Sequence, residues 1–343
     1  MLRLWGTGRK SLKTLSAVLL SCVIIGSLLA GCGTKTEGGV TNAATASGQQ
    51  NSGGEASSAG NTGDSNKAAE TTEERTITDE LGHEVKLSGI PQKIFAPNLE
   101  DSLLKLGVTP VAQWSNAKSG HVYLQEQLKD VPRLDFTSGM PSPEAVMAYE
   151  PDLIILHTAT YAENGAYDSY AKIAPTYVFK NASGNIEGSL TKIGELLGKS
   201  AAADAALQAY REKVEEAKQK LSKVTENKNV AIIRFAPRGV NLMGGQYLAG
   251  YVLHQDLDLG KTKLVGEENS ANLSLEIIPE LDADYIFAIH QGGDLTMMDS
   301  PIWKGMDAVK QGHVFEVDDS YWLGSGLIAY EKIIDDAVRF ITE

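Results

Sequence analysis

Cysteine is almost missing from this 343-residue chain: Cys22 and Cys32 are the two present, and none follows them. Residues 33 to 343 therefore hold no disulfide, no thiolate metal site and no cysteine nucleophile. The six histidines, His83, His121, His157, His254, His290 and His313, are scattered, with none of the short spacings that place two imidazoles on one metal. No serine-nucleophile elbow occurs either, since Gly324-Ser325-Gly326 lacks the strand and the spacing of that motif. Gly194-Glu-Leu-Leu-Gly198-Lys199-Ser200 is one residue short of a phosphate loop and follows no strand, so it reads as a helix end closed by Gly198. Excess positive charge is also lacking. The formal net charge is −13, which opposes nucleic acid and offers no polybasic attraction to an anionic membrane. These absences leave no support for an enzyme, and no cofactor or directly bound metal is expected.

The amino terminus does carry a signal. Arg3, Arg9, Lys10 and Lys13 precede an apolar run from Leu15 to Ala30 that ends in Leu29-Ala30-Gly31-Cys32. That order of basic, apolar and small residues is a secretory signal peptide over 1–31 rather than a membrane span. Leu-Ala-Gly-Cys resembles the bacterial lipobox, which implies cleavage before Cys32, lipid on its sulfur (including palmitate) and a chain held on the extracytoplasmic face of the cell membrane. Removing the four basic charges takes the net charge from −13 to −17, so lipid must do the anchoring, and the two acyl chains of a diacyl group suffice where one holds marginally. Residues 32–75 are Gly, Ser, Thr, Asn, Ala and Gln with scarcely an aliphatic side chain. Such a stretch buries too little to offset its ordering entropy and is expected to be a disordered tether with a reach of about 35 Å.

Beyond the tether, short β-like and helical runs alternate: Lys93 to Ala96, Leu103 to Leu106, Pro110 to Trp114, Pro143 to Tyr149, Leu153 to Leu156 and Thr176 to Phe179. This alternation predicts a parallel α/β lobe over 76–198. Ala201 to Val224 has neither Gly nor Pro and reads as one long helix, within a connecting segment over 199–226. A second alternating set fills 227–343 and closes with a helix from about Leu327 to Ile341. The expected architecture is two Rossmann-like α/β lobes joined by a single long interlobe helix, with a cleft between them.

One segment is said twice. Residues 142–155 read S-P-E-A-V-M-A-Y-E-P-D-L-I-I and residues 274–287 read S-L-E-I-I-P-E-L-D-A-D-Y-I-F. Each places a Glu, Glu144 or Glu276, in the first turn after a Ser suited to cap a helix. Helix capping accounts for one such Glu; an echo in both halves suggests that both lobes meet one partner, although Pro279 should shorten the second helix. A further group stands near strand ends, where open α/β sheets bind ligands: Trp114, Tyr161, Arg234, Arg238, Tyr247 and Trp322. Ring faces and guanidinium groups there suit a bulky, oxygen-rich ligand, whereas Trp303, in Pro-Ile-Trp-Lys, is read as packing.

Together these features are similar to the substrate-binding lipoproteins of ABC importers, in the class with a rigid interlobe helix that handles ferric siderophores, haem and cobalamin. The resemblance runs from about Arg75 to Ile341. Its carriers are Thr78 to His83, Leu106-Gly107-Val108-Thr109-Pro110-Val111, Glu144 to Ile155, Leu281 to Phe287 and Trp322 to Ile334. It implies that Glu144 and Glu276 dock on a dimeric permease that works with its ATPase, and that the binding protein is a monomer. Within the class the chain looks most similar to the ferric-hydroxamate branch, because aromatic residues outnumber basic ones in the expected cleft. Arg234 would bond the iron-chelating oxygens, with Trp322, Trp114, Tyr161, Tyr247 and Arg238 around the ligand and the iron held by the siderophore. Cobalamin or haem binding is the alternative; an exported lipid-anchored enzyme or an adhesion protein fits less of the chain.

Overall fold

The computed structural model describes residues 74–343. The signal peptide, Cys32 and all but the last two residues of the expected tether lie outside the described residues. Strands β1 (Glu74–Thr78) and β2 (Glu84–Ser88) form an antiparallel hairpin. Asp79 closes its turn, accepting the N–H groups of Leu81 and His83 at 2.9 and 2.8 Å and reaching across the lobe to the N–H of Val178 at 3.2 Å. Then follow β3 (Ile94–Phe95), β4 (Gln113–Ser115), β5 (Arg133–Asp135), β6 (Leu153–Leu156) and β7 (Thr176–Val178). They pair in parallel as β3-β6-β7 and β4-β5, with a parallel bridge between Phe95 and Ala112 linking the two sets. All four residues of β6, Leu-Ile-Ile-Leu, are buried, the pattern of a parallel strand covered on both faces.

The long helix runs from Ser200 to Leu221. Its buried residues, Ala203, Leu207, Tyr210, Val214, Ala217 and Leu221, recur every three or four positions and form one stripe. That stripe faces the helix Ile186–Leu196 of the first lobe and the helix Leu327–Thr342 of the second. The second lobe adds β8 (Asn229–Ala236), β9 (Gly239–Met243), β10 (Gly260–Lys261), β11 (Ser270–Asn272), β12 (Tyr285–His290) and β13 (Val314–Val317). Their order is β11-β9-β8-β12-β13, with β10 beside the start of β8. The sheet is mixed rather than wholly parallel, because Pro237 and Arg238 turn β8 straight back into antiparallel β9. The architecture is two α/β lobes on one long helix.

One buried cluster passes from Leu103 and Leu190 through Leu207 to Phe287 and Tyr330, so the two lobes and the helix share a core. A polar contact fixes the same junction. The helix Leu327–Thr342 starts without a side-chain cap of its own. Asp101, on the helix Glu100–Lys105 of the other lobe, supplies it, accepting the N–H groups of Ile328 and Ala329 at 3.0 Å each. Gly326 precedes that helix at a φ of 141°, and a side chain there would collide with Asp101. Tyr123 donates its hydroxyl to the same carboxylate at 3.1 Å, and Lys105 pairs with Glu331 at 2.5 Å.

A candidate ligand cleft at the strand ends

The first lobe gathers a polar and aromatic wall at the carboxyl ends of β3, β4 and β6. Trp114 donates its backbone N–H to Oε1 of Glu100 at 2.7 Å, and its ring stacks on His121 with centroids 5.0 Å apart. Oε2 of the same Glu100, a fully buried side chain, lies 3.4 Å from Nε2 of His121 and has no hydrogen-bond partner. Burial opposes charge on His121, and the neighbouring Glu100 and Asp101 carboxylates together outweigh it, so the imidazole titrates above its ordinary range. Tyr161 stands in the 3₁₀ turn Ala159–Ala162 after β6. Its hydroxyl accepts from Nδ2 of Asn98 at 3.0 Å, and its ring meets His157 edge-on at 4.5 Å. His157 follows β6 directly. Burial pulls its pKa down to about 4, so it is neutral near pH 7, and its Nδ1 is buried without a partner.

Trp114 and Tyr161 thus belong to one cluster built around Glu100, His121 and His157. Sequence reading missed these three, since their spacings match no metal or catalytic motif. The available signal was position: His157 immediately follows the fully buried strand Leu-Ile-Ile-Leu.

In the second lobe, Arg234 lies two residues before the end of β8 rather than at its last position. Its Nε donates to Oε1 of Gln291 at 2.9 Å, its Nη2 bonds the same oxygen, and Gln291 follows β12 directly. No carboxylate pairs with this part-buried guanidinium among the described residues, and one neutral amide cannot satisfy five N–H donors. Arg238 is exposed in the turn between β8 and β9. Tyr247 is half-buried in the loop after β9, where no hydrogen bond or ring contact joins it to Arg234, Trp114 or Tyr161.

Trp322 requires correction as a ligand residue. It is completely buried, its Nε1 donates to Oδ2 of Asp336 at 3.0 Å, and its ring packs on Phe287 at 4.7 Å. The Gly-rich turn that follows suggested an open loop, but an acceptor on the closing helix draws the indole into the core. Trp322→Phe is expected to lower stability by about 1–2 kcal/mol through the lost bond and volume. Denaturant unfolding should register that loss, with ligand affinity unchanged. Trp303 is buried against Phe235, as expected of a packing residue.

Glu144 and Glu276 are both exposed and share one construction. The N–H groups and Ser142 at the start of the helix Pro143–Met147 hold Glu144 below the usual carboxylate range, and Ser274 with the local backbone does the same for Glu276. The second copy forms a turn and the short 3₁₀ segment Ile278–Glu280, with Pro279 inside it, instead of an α-helix. Neither glutamate pairs with a basic side chain among the described residues. Nor do three or more metal-ligating side chains converge anywhere among them, and no helix there is long and apolar enough to cross a membrane.

Known proteins share this fold. The chain is 27% identical to the probable siderophore-binding lipoprotein YfiY of Bacillus subtilis over 78% of its own length and 87% of that protein. It is 31% identical to the iron(3+)-hydroxamate-binding protein YxeB of the same organism, over 74% and 81% respectively. A solved Bacillus subtilis structure of the FhuD fold family, described as a periplasmic binding protein component of a ferrichrome ABC transporter, superposes with a TM-score of 0.66 and 26% identity, covering 78% of this chain and all of that one. These relatives are transport binding proteins and not enzymes. The family described as Periplasmic binding protein matches residues 97–321, and the chain belongs to it.

Proposed function

We propose that the chain is the lipid-anchored solute-binding component of an ABC importer, capturing a ferric siderophore of the hydroxamate type between its lobes and handing it to a membrane permease. The observation that carries this reading is Arg234, a part-buried guanidinium held by a neutral amide with donors to spare. An oxygen-rich complex suits it, and Trp114 and Tyr161 supply ring surface for the organic part. Arg238 and Tyr247 fall at the margin of that site. The names of YfiY and YxeB support siderophore and hydroxamate ligands. No bond is made or broken in this role.

Cys32 carries the lipid, residues 32–75 form the tether, and the lobes extend over 76–198 and 227–343 about the connecting segment 199–226. The monomer docks through Glu144 and Glu276 on a permease dimer with its ATPase. Exposed ion pairs contribute only about 0–1 kcal/mol each, so they serve register and partner choice more than affinity. Changing both glutamates to Ala should cut cellular uptake several-fold while ligand affinity holds. A fall in affinity instead would place them in the ligand site.

Quenching of tryptophan fluorescence tests the ligand. Trp303 and Trp322 are buried, which leaves Trp114 as the accessible indole among the described residues. Saturable quenching by ferric trihydroxamates, exceeding that by ferric catecholates and ferric citrate, is the expected result. Silence toward all hydroxamates with quenching by cobalamin or haem would reassign the site.

A further inference from the structure

A cavity lies between the lobes, and none of Arg234, Trp114 and Tyr161 lines it. It measures about 140 Å³ and is lined by Asn185 and Glu187 of the first lobe, Tyr210 of the long helix, and Tyr251, Asp256 and Tyr330 of the second lobe. Tyr210 and Tyr330 are buried, and Tyr251, 37% exposed, forms the rim. The rings form a row, with 6.4 Å between the centroids of Tyr210 and Tyr330 and 6.4 Å between Tyr330 and Tyr251.

The two carboxylates of this cavity differ. Glu187 is already neutralised by Arg211, whose Nε lies 3.3 Å from it and whose Nη2 also bonds it. Asp256 accepts a hydrogen bond from Tyr210 at 2.5 Å, and no lysine, arginine or histidine of the described residues reaches it as an ion pair. Lys218 acts on Asp256 only at longer range, and a half-buried carboxylate with no cation in direct contact, walled by three phenol rings, favours one. A bare divalent ion does not suit it, since such ions need several oxygen ligands and no three metal-ligating side chains meet here. An organic ammonium needs one carboxylate and ring faces. Asp256 ends a π-helical turn, Val252–Asp256.

We propose that this cavity binds a small organic ammonium group, with Asp256 as its counter-ion and Tyr210, Tyr251 and Tyr330 as its walls. The group belongs either to a free amine or to an aminoalkyl arm of the molecule held in the main cleft. In a two-armed experiment on the full-length protein in detergent, the first arm titrates ethylammonium and tetramethylammonium chloride, with ethanol, tert-butanol and sodium chloride as controls, followed by saturation-transfer NMR. The second compares a ferric trihydroxamate bearing a terminal amine with its N-acetylated form.

The expected result is that an ammonium species in at least one arm binds the wild type tenfold or more tightly than Asp256→Asn, while the neutral counterparts do not tell the two proteins apart. Binding in the first arm identifies a free amine, and an effect confined to the second identifies an arm of the main ligand. Tyr251→Ala, at the rim, should weaken the same species while leaving the core intact, which guards against misfolding of the Asp256 variant. If neither arm separates the wild type from either variant, the proposal fails. The first arm uses no iron complex, so it stands or falls independently of the siderophore reading.

Discussion

Replacing Arg234 with Ala should weaken the binding of ferric hydroxamates about ten- to a hundredfold, measured by quenching of Trp114. A hydrogen bond from a charged donor contributes about 1.5–3 kcal/mol, and each 1.4 kcal/mol is one decade in affinity. Stability should change little. Among the described residues the guanidinium hydrogen-bonds only the amide of Gln291 and acts on Asp319 through space, so truncation leaves one half-buried acceptor unpaired and removes a part-buried charge. Arg234→Lys should fall between wild type and Ala, because lysine keeps the charge but not the planar fork that engages paired oxygens. Unchanged affinity in both variants would remove Arg234 from the site and leave the aromatic wall of the first lobe to account for binding alone.

Asp101→Ala should destabilise the folded protein by about 2–4 kcal/mol. It leaves the N–H groups of Ile328 and Ala329 without their acceptor, and a buried unsatisfied donor costs about 1–3 kcal/mol. Asp101→Asn, which keeps one carbonyl oxygen, should lose less. Urea unfolding measures both, and equal stability of all three proteins would show that water replaces the carboxylate at no cost. The same residue sets a pH dependence. Burial raises the Asp101 pKa from 3.8 to about 6, more than its three hydrogen bonds lower it. The folded protein therefore holds a proton that the unfolded chain releases. The stability from this group is present in full below pH 3.8 and declines as the pH rises through about 6. Asp256, raised to about 6 chiefly by burial, acts in the same direction. Asp101→Asn should therefore flatten part of the slope between pH 4 and 6 and leave the part due to Asp256.

The architecture was largely legible because its signals are local. Leu-Ile-Ile-Leu announces a covered parallel strand, and the run without Gly or Pro before Leu221 announces the long helix. Ser142 and Ser274 likewise mark the two glutamates. Trp322 was misread because its environment is set by Asp336, fourteen residues onward, and by Phe287 on another strand; no local pattern encodes which way that ring turns. Glu100, His121 and His157 were missed for the same reason. They converge only when β3, β4 and β6 are aligned, and each is unremarkable in its own stretch of sequence. The mixed pairing of the second sheet depends on the two-residue turn at Pro237-Arg238, whose consequence for strand direction shows only once β9 lies beside β8.

The cap provided by Asp101 also bears on the order in which the molecule assembles. A chain made from its amino end contains Asp101 more than two hundred residues before Leu327. The first lobe can then be in place, acceptor included, when the final helix emerges, and that helix gains its starting hydrogen bonds only by docking. Completion of the last segment is therefore tied to the quality of the first. A second lobe produced alone would expose the core it shares with the first and begin its closing helix with open N–H groups, so the two halves form one cooperative unit despite their similar design.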